Sequence, residues 1–467
     1  MKTSNQLPVV CTIAGSDSGG GAGIQEDLKV FSSLGVYGTS VITALTAQNT
    51  LGVHAVKAVD PSFVKAQCEA VLADLQPCAI KTGMLENSAI IDVVAEALSS
   101  VNHAFYLIID PVMIAKGGQP LLAQEAIKTL IMSLLPLADI VTPNIEEAEA
   151  ILGLKIQTCE QARQAAQAIR ELMHVNYKTL LNMPKRKPLH AVYLKGGHLP
   201  GAEALDILCC DEGIFDFTHP RLASKNTHGT GCTFSAALCA FLASGTVIDD
   251  ACAKAKKFVT HAIDASFDLG AGIGPTNPLF VLQKNDQRRH VLDELEKAWG
   301  LLASKQCKRI VAEVQMNMAY CLSWPDGIED VAAFPGRIGV IGEKLMRFAL
   351  PAFGASSHVA RIALTINRFD SSFRAAMNVR FSEDFLDKAQ ELGFSIGKFS
   401  RSEEPEDVRI KEGSTLVWGV KKTILEMGFV PDLIFDRGSD GKEPMIRVLG
   451  KDPVEIVKKT ISFADLQ

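Results

Sequence analysis

The chain reads as an α/β protein: a mostly parallel sheet with helices on both faces, followed by a smaller, separate α/β domain. Three observations predict this. Short apolar runs of strand length alternate with longer amphipathic segments as far as Leu152. A glycine-rich turn directly follows the first apolar run. Composition shifts near residue 283: residues 1–284 hold 4 Arg and 9 Cys, whereas 285–467 hold 13 Arg and 2 Cys. At 467 residues there is room for two or three domains and a sizeable core.

The first strand is PVVCTIA, residues 8–14, ending in the glycine-rich turn Gly15 to Gly23. IQEDLKVFSSLG then has the period of an amphipathic helix. This turn lacks the spacing and the terminal G-K-[ST] of a Walker A loop, so alone it does not establish a nucleotide site. Strands follow at Thr39–Ala47, Ala79–Met84, Tyr106–Asp110 and Ile140–Thr142. Helices alternate with them at Pro61–Leu75, Ser88–Ser99, Ala123–Leu135 and Glu146–Leu152, and adjacent Cys209 and Cys210 read as strand residues. Such alternation gives a parallel sheet whose ligands sit at the carboxyl ends of its strands. Polar residues cluster at those ends: Asp17, Gln48, Lys81 to Met84, Asp110 to Met113, Thr142 to Asn144, and Lys195 to His198.

The stretch Lys225 to Ala240 completes the pattern. Gly229, Thr230, Gly231 and Cys232 immediately precede an apolar run of good helix formers. Unpaired N–H groups and the positive end of a helix dipole therefore converge on one point, which suits an anion. The same field is expected to favour the thiolate of Cys232.

Composition excludes several classes. Net charge is −6, which provides no basic field for nucleic acid or anionic membrane. The eleven cysteines are scattered, without a C-x-x-C pair or histidines at ligand spacing, which argues against structural zinc and a disulfide framework. The N-terminus enters its first strand without the features of a targeting segment, and no apolar run reaches spanning length, so a cytoplasmic protein is expected.

AGSDSGGGAGIQEDLK, SVITALTAQNT, KTGM, DPVM, TPNIEEAE, KGGH and NTHGTGCTFSAA, in this order over residues 8 to about 280, resemble the hydroxymethylpyrimidine and phosphomethylpyrimidine kinases of thiamine biosynthesis. One departure is Ser18-Gly19-Gly20-Gly21, where the family has Pro-Ser-Gly-Gly or similar. The resemblance implies a ribokinase-like domain over residues 1–283 that phosphorylates small-molecule substrates with ATP and Mg²⁺, commonly as a homodimer. It implies that Gly229, Thr230, Gly231 and Cys232 form the anion hole and that Cys232 takes the catalytic aspartate's place in related sugar kinases. Lys195 is implied near the nucleotide phosphates, and Asp110 and Glu147 as carboxylates holding Mg²⁺ through water. Gln48 offers a donor and an acceptor side by side, which complement a 4-aminopyrimidine. Gly15, Asp27 and Val112 match the remaining pyrimidine-pocket positions. The rival within this superfamily is a pyridoxal or hydroxyethylthiazole kinase.

Glycine and proline accumulate at GAGIGPTNP, residues 270–278, where the kinase-like pattern ends. Beyond it, helices are expected at Asp286–Ser304, Glu383–Leu392 and Thr415–Met427. Strands are expected at Arg361–Arg368, Ala375–Phe381, Asp432–Asp436 and Met445–Leu449. The polar motifs around Arg337, Gly354 to Arg361, Ala376 to Arg380 and Asp436 to Met445 are similar to the non-barrel thiamine-phosphate synthase domain. That resemblance over residues 284–467 implies condensation of the pyrimidine diphosphate with a thiazole phosphate. It points to Arg337 as a diphosphate clamp and His358 as a donor or proton-transfer group, with Arg361, Asn378, Arg380, Arg437 and Lys442 as further binding candidates. The competing reading is a non-catalytic thiamine-phosphate sensor.

Overall fold

The structure, a computed structural model, describes residues 7–113, 122–180, 187–197, 199, 201, 203–305, 308–405, 414–439 and 441–466. The chain divides between Leu282 and Gln283 into two compact units.

The first unit runs β1 (Val9–Asp17), α1 (Gly23–Ser33), β2 (Tyr37–Asn49), β3 (Gly52–Ala58), α2 (Pro61–Asp74), β4 (Ala79–Thr82), α3 (Ser88–Ser99), β5 (Tyr106–Ile109), α4 (Gln124–Thr129), β6 (Ile140–Val141), α5 (Ile145–Leu152), α6 (Cys159–Tyr177), β7 (Ala191–Lys195), β8 (Glu203–Cys210), β9 (Gly213–Pro220), α7 (Thr230–Ala243) and α8 (Ile248–Asp264). Its nine strands form one sheet in the order β3-β2-β1-β4-β5-β6-β7-β8-β9. The strands from β2 to β7 in that order pair in parallel, and the edges β3, β8 and β9 are antiparallel. The parallel part is near-continuously apolar because helices cover both faces. Cys11, Ile13, Ile80, Leu107, Ile109, Val192 and Leu194 pack with Val64, Ile90, Val94, Ala148 and Ile169 from α2, α3, α5 and α6. On the other face lie α1 and α7, with Phe234 stacked on Tyr193 at 4.3 Å between ring centroids.

The helix starts follow from local chemistry. Asp60 caps α2 ahead of Pro61, and α5 opens on a capping box in which Asn144 and Glu147 satisfy each other's backbone N–H. Among the described residues no helix is long and apolar enough to cross a membrane.

One buried group ties α1 to α7. Glu26 is fully buried and accepts hydrogen bonds from Thr233 (2.8 Å) and Thr276 (3.0 Å). Burial pushes its carboxyl up to about 7, against the lowering effect of Lys29. The folded state thus holds a proton that the unfolded chain releases near the ordinary glutamate value. Its stabilising contribution is complete below that value and is lost as pH rises through about 7. Glu26→Gln should remove that decline, gaining on the order of 3 kcal/mol relative to wild type at pH 8 but not at pH 4. Urea unfolding of both proteins at the two pH values measures the difference, and equal curves at pH 8 would contradict it.

Helix α9 (Phe280–Ala303) runs through the division. The second unit continues with β10 (Asn317–Cys321), β11 (Val331–Ala333), β12 (Ile338–Ile341), β13 (Lys344–Arg347), β14 (Ala352–Phe353), α10 (His358–Phe369), β15 (Ala375–Arg380), α11 (Glu383–Glu391), β16 (Ile396–Lys398), α12 (Ser414–Met427), β17 (Leu433–Asp436), β18 (Met445–Gly450) and α13 (Pro453–Phe463). Seven strands form a mostly antiparallel sheet in the order β14-β11-β10-β15-β18-β17-β16, and β12 and β13 make a separate hairpin. One face packs Met318, Tyr320, Met377 and Val448 against Val291, Leu295, Ile456 and Phe463. The other packs Ala319, Ala376 and Leu449 against Ile362, Ile366, Val420 and Ile424.

One expectation is corrected here. Arg361–Arg368, expected as a strand, lies inside α10. Its β-branched residues suggest a strand, but Val359, Ile362, Ala363 and Ile366 form the i, i+3, i+4, i+7 stripe of a helix packed on a sheet.

Candidate active site

A cavity of about 610 Å³ opens at the carboxyl ends of the parallel strands of the first unit. Its walls bring together ten of the residues singled out from sequence: Gly15, Gln48, Asp110, Val112, Glu147, Lys195, Gly229, Thr230, Gly231 and Cys232. His198, which ends the Lys195 motif, lies outside the described residues.

The centre of the cavity is a charge cluster. Lys195 Nζ donates to Asp110 Oδ1 at 2.8 Å, and Thr142 and Ser235 also donate to the Asp110 carboxylate, each at 3.3 Å. Asp110 is 2% exposed. Burial alone would raise its pKa, but the ammonium groups of Lys195 and Lys81 outweigh burial and hold it below the usual value. Glu147, also buried, is pushed up to about 7 by burial and by the Asp110 charge, against the pull of Lys195.

Helix α7 begins directly above this pair, since a Cβ built on Gly231 would lie 3.2 Å from Lys195 Nζ and 3.6 Å from Asp110 Oδ2. Its N-cap is Gly229, with φ +82°, and a Cβ there would meet Gly21 O at 1.8 Å, so glycine is required. Among the described residues no side chain caps the helix, which leaves first-turn N–H groups for an anion.

Two expectations are corrected. The helix field does not produce a Cys232 thiolate: burial, reinforced by the Asp27 and Asp110 charges, pushes the thiol up to about 12 despite nearby Lys81. Asp27 does not line the cavity. It is 0% exposed, with both carboxylate oxygens on Lys81 Nζ (2.8 and 3.0 Å) and one accepting from Thr12 at 2.6 Å. Lys81 reaches the cavity wall from this ion pair, and it was visible in sequence only as the start of a strand-end motif.

The two ends of the cavity differ in chemistry. Gln48 and Gly15, from β2 and β1, stand towards one edge of the sheet with Met84 against Gly15, and Gln48 Nε2 is 3.1 Å from His228 Nε2. His228 Nε2 is also 3.1 Å from Asp17 Oδ2, and Asp17 accepts from the N–H groups of Gly19, Gly21 and Ala22. At the other end Ala204, Leu222, Val259 and Ile263 form an apolar wall beside Asp206 and Lys256, whose side chains pair at 2.6 Å.

In the second unit the candidates are spread over several elements. Arg337, with φ +68°, donates to Val314 O at 2.5 Å. Asn378 donates to Gln315 O at 3.1 Å and accepts from Asn317 N at 2.8 Å. Glu443, next to exposed Lys442, accepts from Glu313 N and Val314 N. Segment 313–317 therefore gathers Arg337, Asn378 and the Lys442 loop. Exposed His358 is the first residue of α10, Arg361 lies on its next turn, and exposed Arg380 ends β15. Arg437 is instead tied to Glu383 at 2.5 Å. Sequence reasoning missed a buried cluster: Arg447, 2% exposed, donates to Asp436 Oδ2 at 2.6 Å, and Arg401 donates to Asp436 Oδ1 at 2.6 Å. The two arginines outweigh burial and hold the Asp436 carboxyl below its usual value.

Residues 17–277 match the family described as Phosphomethylpyrimidine kinase, and residues 294–462 match Thiamine-phosphate synthase ThiN. The Thiamine biosynthesis bifunctional protein ThiED of Geobacter sulfurreducens is 44% identical over 274 residues, covering 59% of this chain and 53% of that protein, about half its length. The Hydroxymethylpyrimidine/phosphomethylpyrimidine kinase of Haemophilus influenzae is 47% identical over 272 residues, covering 57% of this chain and 95% of that protein. Among solved structures, an ADP complex of Bacillus subtilis pyridoxal kinase is similar with a TM-score of 0.52 at 33% identity, covering 60% of this chain and 99% of that one.

Proposed function

The chain belongs to the phosphomethylpyrimidine kinase family, and from that premise we propose that it is a bifunctional cytoplasmic enzyme of thiamine biosynthesis. The first unit phosphorylates 4-amino-5-hydroxymethyl-2-methylpyrimidine and its monophosphate with ATP. The second condenses the resulting diphosphate with hydroxyethylthiazole phosphate. The observation that carries the kinase reading is the cavity with Gln48 at one end, an apolar wall at the other and the Lys195–Asp110 pair under a helix start between them. The synthase reading is supported by the match over residues 294–462.

On this reading the pyrimidine sits at Gln48 and the nucleotide base at Val259 and Ile263. Lys195 and the first-turn amides of α7 bear the charge of the transferring phosphoryl group, which is where phosphoryl transfer needs stabilisation. Asp110 and Glu147 fit a Mg²⁺ ion. They are two buried carboxylates whose mutual repulsion already raises Glu147, and magnesium takes few protein oxygens while phosphates and water supply the rest. When bound, the ion neutralises phosphate charge. The edge hairpin β2–β3, which exposes Leu45 and Leu51, is the surface we assign to a homodimer.

Cys232 acts as a neutral thiol in this scheme, because a group pushed up to about 12 carries almost no thiolate near neutrality. Cys232→Ser should then keep kinase kcat within about 10-fold of wild type, whereas loss of a true base costs about 10²–10⁴-fold. A fall in the larger range, measured in a coupled ADP assay, would restore the base role.

The whole reading is tested by supplying purified protein with hydroxymethylpyrimidine, ATP, Mg²⁺ and thiazole phosphate, then resolving the products by chromatography. Thiamine phosphate is expected. Pyrimidine diphosphate without thiamine phosphate would favour the sensor reading of the second unit, and no pyrimidine phosphate at all would reject the kinase assignment.

A further inference from the structure

The hydrogen bonds around Gln48 give His228 and Asp17 a role that goes beyond the kinase reading and rests on it. His228 Nε2 faces two groups at once, Asp17 Oδ2 at 3.1 Å and the Gln48 amide at 3.1 Å. Asp17 is an acceptor only. It takes three backbone N–H groups, and hydrogen bonding by these and His228 overcomes burial to hold its carboxyl below the usual value. His228 Nε2 must therefore carry the hydrogen and donate it. A nitrogen that carries a hydrogen here cannot also accept one from an amide NH₂.

The other end of the same amide meets the converse constraint. Thr46 Oγ1 lies 3.4 Å from the amide and already donates its single hydrogen to Ser16 O at 3.0 Å, so towards Gln48 it can only accept. One half-turn of the amide, carbonyl oxygen towards His228 and NH₂ towards Thr46, lets the single Nε2 hydrogen be shared between the Asp17 and Gln48 oxygens and gives the Thr46 hydroxyl a donor. The imidazole itself is fixed. The His228 backbone N–H donates to Gly274 O at 3.0 Å, and its ring lies so close to Gly21 that a Cβ there would stand 2.5 Å from His228 Cδ2.

We propose that the Asp17–His228 pair is a specificity-determining positioning device, which locks the Gln48 amide with its carbonyl oxygen on the His228 side. The second lone pair of that oxygen then accepts from an exocyclic amine, and the second amide hydrogen donates to the adjacent ring nitrogen. A ring with an oxo group in place of the amine and a hydrogen on that ring nitrogen presents the inverse pattern and is refused. His228 thus acts through Gln48.

The test compares kcat/KM for 4-amino-5-hydroxymethyl-2-methylpyrimidine and its 4-oxo analogue in the full chain. Wild type should prefer the amine by at least about 100-fold, the scale of discrimination when a hydrogen-bonding site meets the wrong partner. His228→Leu should cut that ratio to below about 10-fold, mainly through a lower value for the amine, while KM for ATP stays within about 3-fold. His228→Gln, whose amide NH₂ can take the place of Nε2, should recover most of the ratio. Equal losses for both substrates in His228→Leu, or a ratio unchanged from wild type, would overturn the proposal. Failure of His228→Gln to restore the ratio would overturn it too, including where His228→Leu proves unfolded. Wild-type protein inactive on both pyrimidines would instead reject the kinase reading on which the proposal rests.

Discussion

Replacing Lys195 by methionine is expected to lower kinase kcat by about 1,000-fold while KM for the pyrimidine changes less than about 3-fold. The ammonium stands at the point where α7 begins and is the closest cation to Asp110. On the proposed mechanism it meets charge that builds up on the transferring group, so its loss is felt in the transition state more than in substrate binding. The substitution also removes the cation paired with the buried Asp110 carboxylate, leaving Lys81 and the Thr142 and Ser235 hydroxyls to offset its charge, and some loss of fold stability should accompany the kinetic effect. Steady-state kinetics with parallel thermal unfolding separates the two. A folded Lys195→Met protein with kcat within about 5-fold of wild type would remove Lys195 from the chemistry.

In the second unit, Arg337→Lys should lower thiamine phosphate formation by more than about 100-fold, because a point charge does not replace a planar fork at a diphosphate. His358→Ala should do the same. Neither residue belongs to the unit that holds the kinase cavity, so both variants should still consume ATP and accumulate pyrimidine diphosphate. Measuring both products in one sample decides the matter. Unchanged coupling in Arg337→Lys would show that the exposed side chain is not a clamp.

The βα alternation and the glycine-headed start of α7 were legible in sequence because both are local: a period in the apolar residues, and glycines at the head of a helix. Where they failed, the deciding partner lay far along the chain. Lys81 looks like a polar strand end until Asp27, 54 residues earlier, arrives beneath it. The expected thiolate at Cys232 followed from the helix dipole alone, whereas burial and the Asp27 and Asp110 charges, brought by other elements, set the outcome. His228 sat inside a recognised motif, yet its contacts to Asp17 and Gln48 span 211 and 180 residues. The α10 error was of another kind. Its helical stripe is present in the sequence, but Ile362, Thr365 and Ile366 give the same segment the β-branched content of a strand.

The capping box of α5 constrains how this protein can drift. Glu147 Oε2 accepts from Asn144 N while its own N–H is taken by Asn144 Oδ1, and the same carboxyl is repelled by the Asp110 charge. Glutamine also closes a capping box, so a neutral mutation at 147 would leave the helix start intact while deleting a cavity charge. Aspartate would keep the charge but fall short of the Asn144 amide. Selection for folding alone therefore tolerates two residue types at this position, and selection for both folding and charge tolerates one. Glu147→Gln is therefore a single amino-acid step that separates the helix start from the cavity charge.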